Sequence, residues 1–325
     1  MILSAIIIFI VFAAIFAAVV FADIKTAKKR QVKYTFRNSL TALLLLLPAV
    51  VGAFFFVLLP IMYSLGYGFT DYNLLKPNET EFVGFDNFAL AFKEIADGGK
   101  FAHAIANTGL FVVLVVPIQI TVALLLALFC NMKLFGSPFF KVCFFAPVVV
   151  SLTVTSYLWL IILSPDPDGM MNSLLGLFGV EPQTFLRDQN TTMVWIVILS
   201  AWQGAGYQML IFMSALTGIR KELYEAARMD GCNAWHRFWK VTVPGLKPTM
   251  LYIVITVFIG ACRIMIQPML MVGYQDNAIT LSYYMYQQGY SFRLVGYSSA
   301  IALLMTIVIG SITFIQRRIL GEKKK

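Results

Sequence analysis

The chain has 325 residues, of which 59% are hydrophobic and 13% charged, with a formal net charge of +9. A soluble domain normally carries about 25% charged residues, and the apolar residues here come in blocks rather than amphipathic stripes, so a soluble globular fold is excluded. The basic excess lies in short gaps between the blocks, as orientation signals do, which removes the nucleic-acid reading that a basic soluble chain would invite.

A hydrocarbon core asks for roughly 20 consecutive apolar residues per helix. Seven stretches qualify: residues 1–22, 40–65, 104–130, 142–163, 192–216, 249–272 and 295–315. The first has small residues at Ala18 and Ala22, but no Lys or Arg precedes it, and the basic cluster from Lys25 to Arg37 follows it. That order is backwards for a cleaved signal and predicts a retained out-to-in anchor with its basic loop over 1–39. The second span and an acidic gap, with Asp71, Glu81, Asp86 and Glu94, occupy 40–103. A core domain follows over 104–316. Its gaps alternate between basic (Lys133, Lys141), acidic (Asp166, Asp168, Glu181, Asp188) and basic again (Arg220, Lys221, Arg228, Arg237, Lys240, Lys247), and a basic tail covers 317–325. With Lys and Arg kept cytoplasmic, the N-terminus is expected outside and the C-terminus inside a plasma membrane.

Cys130, Cys143, Cys232 and Cys262 form no CxxC pattern, and His103 and His236 stand far apart. Neither a disulfide framework nor a metal centre is expected.

The long basic loop over 218–248 carries the most information. Lys221 to Met229 is built of helix formers. Gly231 is a natural left-handed stop, and Asn233 suits a second helix start. Trp235, Phe238 and Trp239 then share a face, and Pro244 is expected to end that helix. The loop therefore reads as helix, glycine turn, helix at the membrane surface.

Glu225-Ala226-Ala227, Asp230-Gly231 and Val241-Thr242-Val243-Pro244, with Pro248 following, resemble the EAA loop of bacterial ABC-importer permeases. The likeness extends through Pro60-Ile61-Met62-Tyr63-Ser64, Val83-Gly84-Phe85-Asp86-Asn87-Phe88, Asn107-Thr108, Thr280-Leu281 and Gly296-Tyr297-Ser298-Ser299-Ala300. These runs are similar to the carbohydrate-uptake branch, with its MalF-like and glycerol-phosphate-permease-like members. Two features depart from that pattern: Arg220-Lys221 stand where a proline usually precedes the loop, and Met271-Val272-Gly273-Tyr274-Gln275-Asp276 replace a Gly-Gly-Pro turn.

The resemblance implies an all-α polytopic membrane protein with a type I ABC-importer transmembrane domain. Glu225, Ala226, Ala227, Asp230, Gly231 and Pro244 would then couple to cytoplasmic ABC ATPase subunits. A second permease subunit and an extracytoplasmic solute-binding protein are further expected partners. A phosphate-cradling Gly-x-x-x-x-Gly-Lys-Ser/Thr run is missing, and paired carboxylates or a nucleophile–base set are not apparent. ATP and Mg are therefore expected on the partner ATPase, and this subunit is not expected to be catalytic.

Polar groups inside spans are costly and tend to face a cavity or a partner. Trp202, Gln203, Tyr207, Arg263 and Gln267 are accordingly expected along a solute path, where aromatic faces and hydrogen-bonding heads suit a sugar. A non-sugar anion such as glycerol phosphate stays open through Arg263. A self-sufficient secondary transporter would need acids well inside its spans, which the sequence lacks.

Overall fold

The computed structural model describes residues 36–132, 135–188, 191–273 and 278–320, with Val20, Phe21, Ile24, Lys25, Thr26 and Lys28. Almost all of the expected first span, much of the basic cluster after it, and Lys133 therefore fall outside the described residues. The chain divides into two units, Met1–Gly66 and Tyr67–Lys325.

In the first unit, α1 (Phe36–Ala53) runs through a π turn (Phe54–Leu58) into α2 (Leu59–Tyr67). The wide turn lies just ahead of Pro60. The Leu59 amide reaches back to the Phe54 carbonyl, and the proline, which has no N–H to place, follows without breaking the helix.

The second unit begins with α3 (Asp86–Ala96) and α4 (Lys100–Asn131). Next come α5 (Ser137–Val149), α6 (Leu152–Ile162), the short α7 (Met170–Gly176) and α8 (Thr192–Gly218). The remaining elements are α9 (Lys221–Met229), α10 (Ala234–Arg237), α11 (Val243–Cys262), α12 (Ile266–Met271), α13 (Leu281–Tyr286) and α14 (Val295–Leu320).

The bundle is organised around α8, half of whose most apolar window is buried, packed against α4, α5 and α11. In lipid, an apolar residue gains little by facing another helix rather than a lipid tail, so small and weakly polar residues mark the packed face. Helix α4 follows that rule. Its buried positions Ala104, Thr108, Phe111, Val115, Gln119, Ala123, Ala127 and Cys130 recur at intervals of three or four along a helix that is apolar all round. Two glycines let the neighbours close in. A Cβ at Gly204 would strike the Gln119 side chain of α4, and one at Gly206 the Phe144 carbonyl of α5.

Turns outside the spans are tied down by amides. Asn172, 3% exposed, donates to the carbonyls of Asp166 (3.0 Å) and Gln183 (3.1 Å) and accepts from the Gln183 amide at 2.8 Å. Asn87 holds the segment before α3, donating to the carbonyls of Gly68 (3.1 Å) and Thr70 (2.8 Å).

Among the described residues, five helices are long and apolar enough to cross a membrane, or six if one bent pair counts as a single span; the remaining expected span, the first, lies almost wholly outside those residues. The structure revises three expectations. The expected span 142–163 is not continuous. It is the pair α5 and α6, bent by 98°, because Val150 and Ser151 adopt extended ψ angles of 134° and 136°. The expected span 249–272 starts earlier, since a helical segment runs over Ala234–Met271, and it is interrupted at Arg263, where α11 ends. Pro244 does not terminate a helix. A π turn over Phe238–Thr242, closed by the Val243 amide on the Phe238 carbonyl, carries α10 into α11 with the proline in the first turn of α11.

A Gly206→Leu substitution drives a side chain into the α5 backbone. It is expected to destabilise the bundle by about 1–3 kcal/mol, read as earlier thermal unfolding of the purified protein in detergent.

Candidate functional site

Two features stand out, and one helical segment joins them. The first is the 218–248 loop. Every residue of α9 is at least partly exposed, including Glu225, Ala226 and Ala227, and Met229 is 89% exposed. The helix stops as its sequence dictates. Gly231 adopts φ +75°. The Cys232 amide bonds the Ala227 carbonyl at 2.9 Å, and the Gly231 amide bonds the Arg228 carbonyl at 3.0 Å. This is the paired closure of a Schellman motif, in which glycine supplies the left-handed residue. Asp230, exposed, is the C-cap, and its amide reaches the Ala226 carbonyl at 2.9 Å.

Asn233 then starts α10, its side chain accepting from the His236 amide at 2.9 Å. The expected aromatic face forms: the rings of Trp235, Phe238 and Trp239 contact one another at centroid distances of 5.2–6.2 Å. The knob is fixed to the bundle at its base. Tyr224 of α9 hydrogen-bonds Thr242 at 3.0 Å, with Thr242 buried. Gly245 lies so close to Ile219, at the end of α8, that a Cβ there would sit 2.8 Å from that side chain. Pro244 is exposed at this base rather than on the knob.

The second feature is a cavity of about 820 Å³ between α4, α8 and the interrupted helices. Of the residues expected on a solute path, Gln203, Arg263 and Gln267 line it. Trp202 and Tyr207 do not. Each is about half exposed on α8, Trp202 against Trp159 at 6.0 Å and Tyr207 in a shallower groove with Ile211 and Thr249. Gln119, Ser200 and Gln208 line the main cavity as well. A lone glutamine in the apolar run of α4 was the available signal for Gln119, since an amide in hydrocarbon needs a partner or a cavity.

Both helix interruptions lie on this cavity, and both are chemically sealed. Gln203 donates to the Val150 carbonyl at 3.1 Å and to the Thr155 hydroxyl at 3.3 Å, beside the Pro147 carbonyl at 3.5 Å. It thereby covers the end of α5. At the other break, Thr280 donates to the Ile264 carbonyl at 2.7 Å, and Ser282 lies 3.5 Å from that of Cys262. Thr280 is positioned in turn from α4: Asn107 donates to the Ile279 carbonyl at 2.9 Å, and Thr108 accepts from the Leu281 amide at 2.8 Å. Two sequence runs far apart in the chain, Asn107-Thr108 and Thr280-Leu281, thus meet at the cavity rim.

A helical bundle with interrupted spans around a cavity of mixed apolar and polar lining, and an exposed helix pair rooted in one of those spans, fits a membrane transport subunit. The chain belongs to the family described as binding-protein-dependent transport system inner membrane component, whose model matches residues 88–325. It is 31% identical to the arabinooligosaccharides transport system permease protein AraP of Bacillus subtilis, over 85% of this chain and 87% of that one. It is 34% identical to the lactose transport system permease protein LacF of Rhizobium radiobacter, over 69% and 77%. Its fold is similar to that of a bacterial ABC transporter involved in the import of the acidic polysaccharide alginate, with a TM-score of 0.76 and 21% identity over 89% of this chain and 98% of that one.

Replacing Gly231 with alanine forces a left-handed residue with a Cβ, at a cost of about 1–2 kcal/mol. The expected result is faster amide exchange across α9, with protection of α4 and α8 unchanged.

Proposed function

We propose that this chain is the permease subunit of an ATP-binding-cassette importer that carries a carbohydrate, an oligosaccharide above all, across the plasma membrane. The relatives named for arabinooligosaccharides and lactose support the carbohydrate class. In this reading the α9–α10 knob docks into a cytoplasmic ABC ATPase, which holds ATP and Mg. A second, similar permease completes the pore, and an extracytoplasmic binding protein delivers the solute. In this reading Lys and Arg stay cytoplasmic, so the knob and the C-terminus would face the cytoplasm and the N-terminus the outside.

One observation carries the reading. Unbroken helix over residues 234–262 begins in the knob and ends at the cavity, about 44 Å at 1.5 Å per residue. Near its knob end, Tyr224 bonds Thr242; at its cavity end lies Arg263, with Gln267 just past the break. A displacement imposed on α9 by a closing ATPase is therefore delivered to the cavity wall through covalent helix rather than through a chain of loose contacts. Ala226 and Ala227, beside the exposed Glu225, present a small-residue surface that a partner can approach closely, and Gly231 sets the angle at which α10 returns.

The test is reconstitution with the partner permease, ATPase and binding protein. Ala227→Trp is expected to insert normally yet weaken ATPase association by about tenfold or more, the scale of a disrupted interface centre, and to abolish solute-stimulated ATP hydrolysis. Normal coupling in that variant would remove the knob from the mechanism. Failure of the wild-type complex to take up any labelled saccharide would remove the carbohydrate.

A further inference from the structure

Arg263 is the one charged side chain among the described residues lining the cavity. It is exposed there, and no hydrogen bond or ion pair joins its guanidinium to another described residue. A cation at membrane depth persists only where water, an acid or a solute meets it. Its location explains how the protein tolerates it without a carboxylate from another described residue. Arg263 caps the C-terminus of α11, where the aligned peptide dipoles favour positive charge.

Two other features of the same cavity point to the missing partner. Ser151 and Leu152, at the start of the eleven-residue helix α6, line it, so the first-turn amides of α6 and the positive end of its dipole lie at the wall. Gln208, 8% exposed, lines it too, and its side-chain oxygen is buried without a hydrogen-bond partner. A carbonyl oxygen of that kind asks for a hydroxyl or amide donor. A guanidinium and a helix N-terminus ask for an anion, and a planar guanidinium fork suits a carboxylate or phosphate best.

We propose that the cavity is built for an anionic saccharide, with Arg263 receiving its acidic group and Gln208 one of its hydroxyls. This rests on the carbohydrate reading above and adds the charge of the solute to it. A neutral sugar would leave the arginine without a counter-charge throughout its passage. A carboxylate from the partner permease could serve Arg263 instead, and the experiment separates the two.

Proteoliposomes holding this chain with its partner permease, ATPases and binding protein would be given labelled trigalacturonate, its fully methyl-esterified form, or glucose 1-phosphate. The wild-type complex is expected to take up a free acid in preference to the neutral ester, the carboxylate and phosphate arms telling which acid. Arg263→Gln should lower that acid uptake by about tenfold or more while leaving ester uptake unchanged, and Arg263→Lys should restore part of it. The same binding protein serves every variant, so its own selectivity cancels from the comparison. An equal loss of acid and ester uptake in Arg263→Gln, or no loss of acid uptake, would overturn the proposal and assign the arginine to the partner subunit or to the fold. Uptake of none of the three would sink the carbohydrate reading, and this one with it.

Discussion

Everything in the second unit depends on keeping backbone polar groups satisfied at membrane depth. An unpaired carbonyl in hydrocarbon costs several kcal/mol, so a span can be interrupted only where side chains replace the lost helical bonds. This chain interrupts two, at Val150–Ser151 and after Cys262, and supplies a sealing group to each: the Gln203 amide on the carbonyls at the end of α5, and the Thr280 hydroxyl on that of Ile264. The short helices beyond the two breaks, α6 and α12, pack on each other. The cavity is the space these interruptions open, and its polar lining is in part the chemistry that permits them.

Proline is handled differently. Pro60 and Pro244 each follow a π turn, closed by the amide of the residue directly before the proline. The wider turn leaves room for a ring with no N–H, so neither helix stops. At Pro244 this has a mechanical consequence. A break there would leave the knob hanging on a flexible joint; the π turn keeps α10 continuous with α11, and the partly buried Tyr224–Thr242 bond at the same level braces α9 against it. In the proposed coupling this arrangement would transmit displacement, because no hinge separates the exposed helices from the span that reaches the cavity.

The local chemistry of the knob was legible in the sequence because it depends on neighbours in the chain. Gly231 must take positive φ, Asn233 must cap, and the aromatic residues fall on one face, whatever surrounds them. The spans were legible as apolar blocks, but their interruptions were not. Val148-Val149-Val150 reads as one more stretch of membrane helix, and only a glutamine from α8, more than fifty residues onward, makes an extended turn there affordable. The same cause separated the expected path residues. Trp202, Gln203 and Tyr207 lie within six residues of one another in α8, yet only packing against α4 and α5 decides that Gln203 turns into the cavity while Trp202 and Tyr207 face outward. Hydropathy blocks carry no information about which side of an apolar helix is packed; in α4 that information lies in the small residues at three- and four-residue spacing, and it becomes readable once Ala, Thr and Cys are treated as the contact residues and Leu as the lipid-facing ones.

The polar residues of the cavity consequently divide by what their hydrogen bonds already do. Gln203 spends its donors on the Val150 carbonyl and the Thr155 hydroxyl, and Gln267 lies 3.4 Å from the Ser200 hydroxyl; these groups hold the wall in shape and have less to offer a solute. Gln208 and Arg263 have no such obligation among the described residues. A group whose bonding capacity is used within the fold sets geometry, whereas a group left open at a membrane cavity sets selectivity, because desolvating it without a partner is the larger cost. Under the proposed transport of an anionic saccharide, shape and charge selection would reside on different side chains, so the solute's charge class could change by substitution at the end of α11 without reopening either interruption.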